Sequence, residues 1–252
     1  MTGSPSWFFF DKERLQEIAL SKRDDYRAAS PFPHAVIDGL IPDTVLEGVL
    51  EEFPEPTKAW RTSASKHGKK FGAAVKEVQL GPVTRNVLAE LNSAAFLEFL
   101  QTLTSIEEPL IGDPHYAGGG LHQIPPGGYL KVHADFNRHP RFDLDRRLNV
   151  LFYLNQDWRP EWGGQLELWN QEMTRAEQSI EPLFNRAVIF STTKTSYHGH
   201  PDPLRCPEGR WRRSLAIYYY SNGRPEEETS EWHSTLWQQR QAAKDFAPAR
   251  TS

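Results

Sequence analysis

One cysteine in 252 residues, Cys206, leaves no partner for a disulfide within the chain, and a disulfide-stapled scaffold is excluded. Positive charge is not in surplus either. The formal net charge is -4 and the pI about 6.2, so no overall basic field exists to hold nucleic acid or an anionic membrane. No apolar run reaches the length of a membrane span, and the patch in MTGSPSWFFFDKERL is too short even for a signal peptide. These absences set the expectation of a cytoplasmic protein with neither nucleic-acid nor membrane partners. Two catalytic signatures are also missing. There is no His-Glu-x-x-His helix for a zinc hydrolase, and the glycine-rich AGGGLHQIPPGG lacks the Gly-Lys-Ser/Thr ending of a phosphate loop and runs into a strand. Cys206, in LRCPEG, has no helix N-terminus to activate it as a nucleophile.

What the chain does contain is 38% hydrophobic and 12% aromatic residues, enough for one sizeable core, and the expectation is a single domain over 1–252. Apolar positions recur at near-helical spacing over 11–27, 43–54 and 83–103, so the first 105 residues read as mostly helical. Between the last two helices PTKAWRTSASKHGKKFGAA reads as a long exposed loop with the character of a lid. From about 119 the pattern changes to short apolar runs punctuated by Gly, Pro and Asn. Seven or eight such strands predict a sandwich or jelly roll over 119–221, supported by a helical region over 1–118, with 222–252 as a surface extension. The fold class expected is mainly β with N-terminal helices.

The chemistry sits in GGYLKVHADFNRH. Side chains two apart on a strand share a face, so His133 and Asp135 offer a nitrogen and an oxygen to one ion. A second His-x-Asp triplet, His200 to Asp202, is flanked by prolines and reads as a turn. His139 reads as a loop residue. A third ligand comes from RAVIFSTTKTSYHGHPDP, which offers His198 and His200 after a strand and a polar turn. Two histidines and one carboxylate, with positions open on one side, are the facial set suited to non-haem Fe(II) and O2.

In order along the chain, PPGGYLKVHADF, RRLNVLFYLNQDWRPEWGGQLELW, IEPLFNRAVIFSTTKTSYHGH and RRSLAIYYY resemble the Fe(II)- and 2-oxoglutarate-dependent oxygenases, and within them the prolyl 4-hydroxylase-like branch. The resemblance covers about 119–221, and SPFPHAVIDGLIPDTVLEGVLEEFP looks like that family's helical lead-in. It implies a double-stranded β-helix and a metal triad of His133, Asp135 and His198. His198 is preferred over His200 because the family's distal histidine follows the polar turn directly; His200 is then left to substrate or to capping the turn. The distal carboxylate of 2-oxoglutarate would be met by Arg212, one of three neighbouring arginines, with Tyr153 as second donor. Strand parity groups Ser214 with Arg212 and Asn149 with Tyr153 as cosubstrate-binding candidates. Two departures from the family are a longer segment between His198 and Arg212 and Ile124 where many members have a tyrosine. Asp135 argues against the halogenating variant, whose site needs a small residue there.

The resemblance implies hydroxylation of an unactivated C–H bond, or ring closure or desaturation, with release of succinate and CO2. At the mouth, Arg138 and Arg141 in FNRHPRFDLDRR and Trp60 in TKAWRTSASKHGKK are the substrate candidates. A small molecule or natural-product intermediate is the expected substrate and partner. The alternatives are a prolyl or other protein-residue hydroxylase and, in another class, a cupin-like metal-binding jelly roll. The oligomeric state is left open.

Overall fold

The computed structural model describes residues 8–55, 61–65, 68–73 and 80–240. Its helices are α1 (Lys12–Ala28), α2 (Asp43–Glu51), α3 (Pro82–Glu90) and α4 (Ala94–Thr104). Asp11 caps α1 by accepting from the Arg14 amide, and Ser93 caps α4 by accepting from the Phe96 amide. That second cap explains why the sequence 83–103 is two helices and not one. Asn92 turns its side chain back onto the Leu88 carbonyl and Ser93 starts a new helix, because short polar side chains compete with the helical ladder.

The strands are β1 (His34–Asp38), β2 (Arg61–Ser65), β3 (Gly68–Ala73), β4 (Ile111–Gly112), β5 (Gly120–Ile124), β6 (Leu130–Ala134), β7 (Asp145–Tyr153), β8 (Leu166–Trp169), β9 (Ala176–Ile180), β10 (Arg186–Ser191), β11 (His198–His200), β12 (Arg212–Ser221) and β13 (Leu236–Trp237). They run antiparallel in the order β1-β10-β7-β12-β5-β3-β6-β11-β8-β9. The ribbon folds over at β3, so that β1-β10-β7-β12-β5 faces β6-β11-β8-β9 as a jelly roll. Alternation decides what each face does. Leu148, Val150 and Phe152 on β7 and Leu215, Ile217 and Tyr219 on β12 point outward and bury Phe96, Phe99 and Leu100 of α4. Asn149, Leu151, Tyr153, Arg212 and Ser214 point inward between the two halves.

Three expectations need correction. The first 105 residues are not simply helical: HAVID forms β1, which pairs with β10. The expected lid loop holds the hairpin β2–β3, and β3 joins β5 to β6 across the fold. The segment after Ser221 is more than a surface extension, since β13 pairs Leu236 with Ala134 and Trp237 with His133. Alternation along β7 holds from Leu148 to Tyr153 and breaks before it: Tyr219 pairs with Leu148 but Tyr220 with Arg146. Arg147 is therefore the extra residue of a β-bulge, and the strand beyond it swaps faces.

No helix among the described residues is long and apolar enough to cross a membrane.

Candidate metal centre

His133 lies on β6 and His198 opposite it on β11, paired in register. Asp135 follows two residues after His133, just past the strand end. The ligand atoms of His133, Asp135 and His198 all lie within 4.8 Å of one another, and no other such group occurs among the described residues. His139 is outside it. That histidine is buried beside Asp113, 3.4 Å from its carboxylate, and its Nδ1 accepts from the Arg141 and Phe142 amides.

Each imidazole of the group is oriented by its own strand. His133 Nδ1 meets the Lys131 carbonyl at 2.8 Å and His198 Nδ1 meets the Ser196 carbonyl at 3.0 Å. A proton on each Nδ1 satisfies those bonds and leaves both Nε2 lone pairs facing inward. His133 Nε2 stands 3.6 Å from Asp135 Oδ1, and His198 Nε2 3.4 Å from Asp135 Oδ2. Burial, partly offset by Asp135 and reinforced by His133, lowers the His198 pKa to about 4, so its ring is neutral at physiological pH. Burial by itself would raise the Asp135 carboxyl. Arg146, with His198 and His133, overrides that and holds it far below the usual carboxylate range.

Two imidazole nitrogens and a carboxylate oxygen thus converge on one point, where a cation between them would be held by all three. Ligands about 2.1 Å from one ion stand about 3 Å apart at right angles, close to the spacing found here. The donor set fits Fe(II).

The cavity in front of the triad is walled by Tyr153, Asn149, Ser214, His200 and Arg212. Arg212 is 5% exposed. Its Nε donates to the Gly164 carbonyl at 2.7 Å and its Nη2 to the Tyr153 hydroxyl at 3.1 Å. Burial raises the Tyr153 phenol against the opposing pull of Arg212, so the hydroxyl keeps its proton. Asp135 is the only carboxylate among the residues lining the cavity. A buried guanidinium with no carboxylate of its own fits the distal end of a dicarboxylate.

The other expected residues sort differently. Asn149 lines the cavity, but its amide nitrogen donates to Asp135 Oδ2 at 2.9 Å, which makes it a support of the Asp135 carboxylate. Arg138 is tied to Asp143 and Asp145, Arg141 is exposed, and neither lines the cavity. Trp60 lies outside the described residues. Cys206 is buried and burial raises its thiol, which agrees with an unactivated residue.

Sequence reasoning missed Arg146, Tyr218 and Trp237. Arg146 was hidden by the bulge, because strict alternation from Tyr153 and Asn149 turns it outward. Trp237 sits 4.8 Å from the His133 ring, carried there by a two-residue strand too short to leave a periodic signal.

Gly199, between the two histidines of β11, has no room for a side chain. A Cβ there would stand 2.8 Å from the Leu130 carbonyl oxygen and 2.9 Å from that of Lys131, which orients His133. Gly199→Ala is expected to weaken metal binding by about 10- to 100-fold, as loss of outer support does at other metal sites. Zn(II) titration against a chelator checks it, and unchanged affinity would contradict this account.

Comparison with known proteins gives a consistent picture. Residues 119–241 match the model of the 2OG-Fe(II) oxygenase superfamily. The fold is similar to a prolyl-4-hydroxylase of Pseudomonas putida (19% identity, TM-score 0.58, covering 81% of this chain and 100% of that one). It is also similar to a Trichoplax adhaerens prolyl hydroxylase in complex with a peptide fragment of the hypoxia inducible factor oxygen degradation domain (15%, 0.56, 87% and 94%). A third likeness is to HygX of Streptomyces hygroscopicus with nickel and 2-oxoglutarate bound (12%, 0.51, 75% and 82%). At these identities the structural likenesses speak for the fold.

Proposed function

Over residues 119–241 the chain is a 2-oxoglutarate-dependent Fe(II) oxygenase, and from that premise we propose that it hydroxylates, or oxidatively cyclises, an unactivated C–H bond of a small molecule. The observation that carries the site assignment is the convergence of two imidazole lone pairs and one carboxylate on a cavity whose far wall is Arg212. His133, Asp135 and His198 would hold the iron. Arg212 and Tyr153 would bind the distal carboxylate of 2-oxoglutarate, with Ser214 beside them on the same face of β12. Bound iron, with 2-oxoglutarate and dioxygen, supplies the oxidising power for the C–H bond, and succinate and CO2 leave.

The rest falls to the chain. Arg212 and Tyr153 orient the cosubstrate, the apolar walls Ile124, Leu151 and Leu166 keep out water, and the carbonyls of Lys131 and Ser196 fix the two imidazoles. His200, buried in the cavity wall, would touch substrate or cosubstrate.

What favours a small substrate is the rim. The β6 edge beside His133 is taken by β13, and Gln238 continues that pairing by donating to the Val132 carbonyl at 2.8 Å. The strap is further tied by the Asn137–His233 amide pair and by Arg240 on Asp202. An extended peptide has no free strand edge to join there. A second reading, hydroxylation of a prolyl residue in protein, is favoured by the peptide complex of the Trichoplax relative.

The test is succinate release with Fe(II), 2-oxoglutarate and dioxygen against two panels, polar small metabolites and proline-containing peptides. Stimulation above the uncoupled background by the first panel alone is expected. Stimulation by peptides alone would move the assignment to the second reading, and no succinate with any addition would count against both.

A further inference from the structure

Arg146 is completely buried, and its placement next to a cation site calls for an explanation. Its Nη2 donates to Asp135 Oδ2 at 2.9 Å. The guanidinium lies 3.6 Å from the centre of the Tyr218 ring and 4.4 Å from that of Phe136, while its Nε and Nη1 have no hydrogen-bond partner among the described residues. Asp135 is its one anionic partner there. The backbone is held as firmly: the Arg146 amide donates to the Asn137 carbonyl, and its own carbonyl accepts from Thr192 and Arg224. The bulge at Arg147 delivers it to this face.

A positive charge this close weakens the hold of a carboxylate on any divalent ion. It is not there to bind metal tightly. With Asn149 also donating to Oδ2, both donors sit on the oxygen that stands 3.4 Å from His198 Nε2, while Oδ1, 3.6 Å from His133 Nε2, carries neither. We infer that Arg146, assisted by Asn149, is a positioning residue that restricts Asp135 to one oxygen toward the metal and cancels its charge. Both effects serve 2-oxoglutarate. A carboxylate gripping with two oxygens would occupy a position that the keto acid or dioxygen needs. An uncancelled carboxylate would also reduce the positive charge that attracts the cosubstrate dianion.

This inference rests on the oxygenase reading, and it predicts responses of opposite kind. In Arg146→Met, which keeps an unbranched apolar stem between Tyr218 and Phe136, metal affinity should be unchanged or higher, because a repelling charge is lost along with the support, while 2-oxoglutarate affinity falls about 10- to 100-fold, the usual size of a coupling between two sites. Arg146→Lys, retaining the charge, should recover some of that loss. Asn149→Ala keeps the guanidinium and should show a smaller loss of the same kind, so it carries the test if Arg146→Met does not fold.

The readout is anaerobic titration of Fe(II) and then 2-oxoglutarate, following the visible charge-transfer band of the chelate, with metal affinity measured separately by chelator competition. A parallel fall in both affinities would reduce Arg146 to a structural role and overturn the inference, as would unchanged 2-oxoglutarate binding in Arg146→Met and Asn149→Ala. No band in the wild-type protein despite bound metal would instead remove the oxygenase reading beneath it.

Discussion

His198→Ala should fold normally, lose the visible band of the iron chelate and release succinate at no more than the background rate of free iron. Among the described residues His198 is the member of the converging group outside the 133–135 segment, and its ring closes the set from the facing strand. Without it, His133 and Asp135 offer two protein ligands, and a divalent ion held so poorly is lost on dilution. Removing merely an outer support of a metal ligand costs about 10- to 100-fold, and groups that act as one unit fail together, so a loss of at least about 10³-fold is expected. His200→Ala is the matching control. His200 also faces the cavity, and the variant should keep its iron band even if turnover falls. If His200→Ala lost the metal and His198→Ala kept it, the two histidines of β11 would have to exchange roles.

Arg212→Ala should keep its iron and lose its grip on 2-oxoglutarate. The guanidinium is buried, fixed by Gly164 and Tyr153, and faces a cavity whose one carboxylate belongs to the metal group. Truncating one partner of a buried charge-assisted pair costs roughly 2–5 kcal/mol, which is about 30-fold to a few thousand-fold in affinity. Arg212→Lys should recover only a fraction of this. A lysine keeps the charge, but one nitrogen cannot bond Gly164, Tyr153 and a carboxylate in the plane that the guanidinium provides. The check is the 2-oxoglutarate concentration needed for half-maximal succinate release, with metal content measured alongside. A variant that saturates like the wild type would leave the distal carboxylate to another cation.

The jelly roll was legible because period-2 alternation survives in β7 and β12, where one face must meet the helices and the other the cavity. Tyr153, Asn149, Ser214 and Arg212 could be grouped on one face for that reason. His133 and Asp135 were legible from spacing after the glycine pair, whereas the pairing of His198 with His133 across two strands is a matter of register that no local pattern carries. Arg146 was illegible for a sharper reason. One unpaired residue, Arg147, reverses the alternation, so two adjacent arginines diverge: Arg146 goes to Asp135, and Arg147 to Glu108 and Glu228. The hairpin β2–β3 was missed because its polar, basic sequence has the composition of a loop. Trp237 was missed because two residues of strand are decided by where the partner edge happens to lie.

The pairing of Trp237 with His133 also bears on how the molecule is made. β6, which carries His133, is complete at residue 134, yet one of its hydrogen-bonding edges waits for a segment synthesised roughly a hundred residues later. Until that segment leaves the ribosome, β6 has an open edge beside His133. Chains held on the ribosome and chains released from it should therefore differ in protease sensitivity at β6, with the released chain the more resistant.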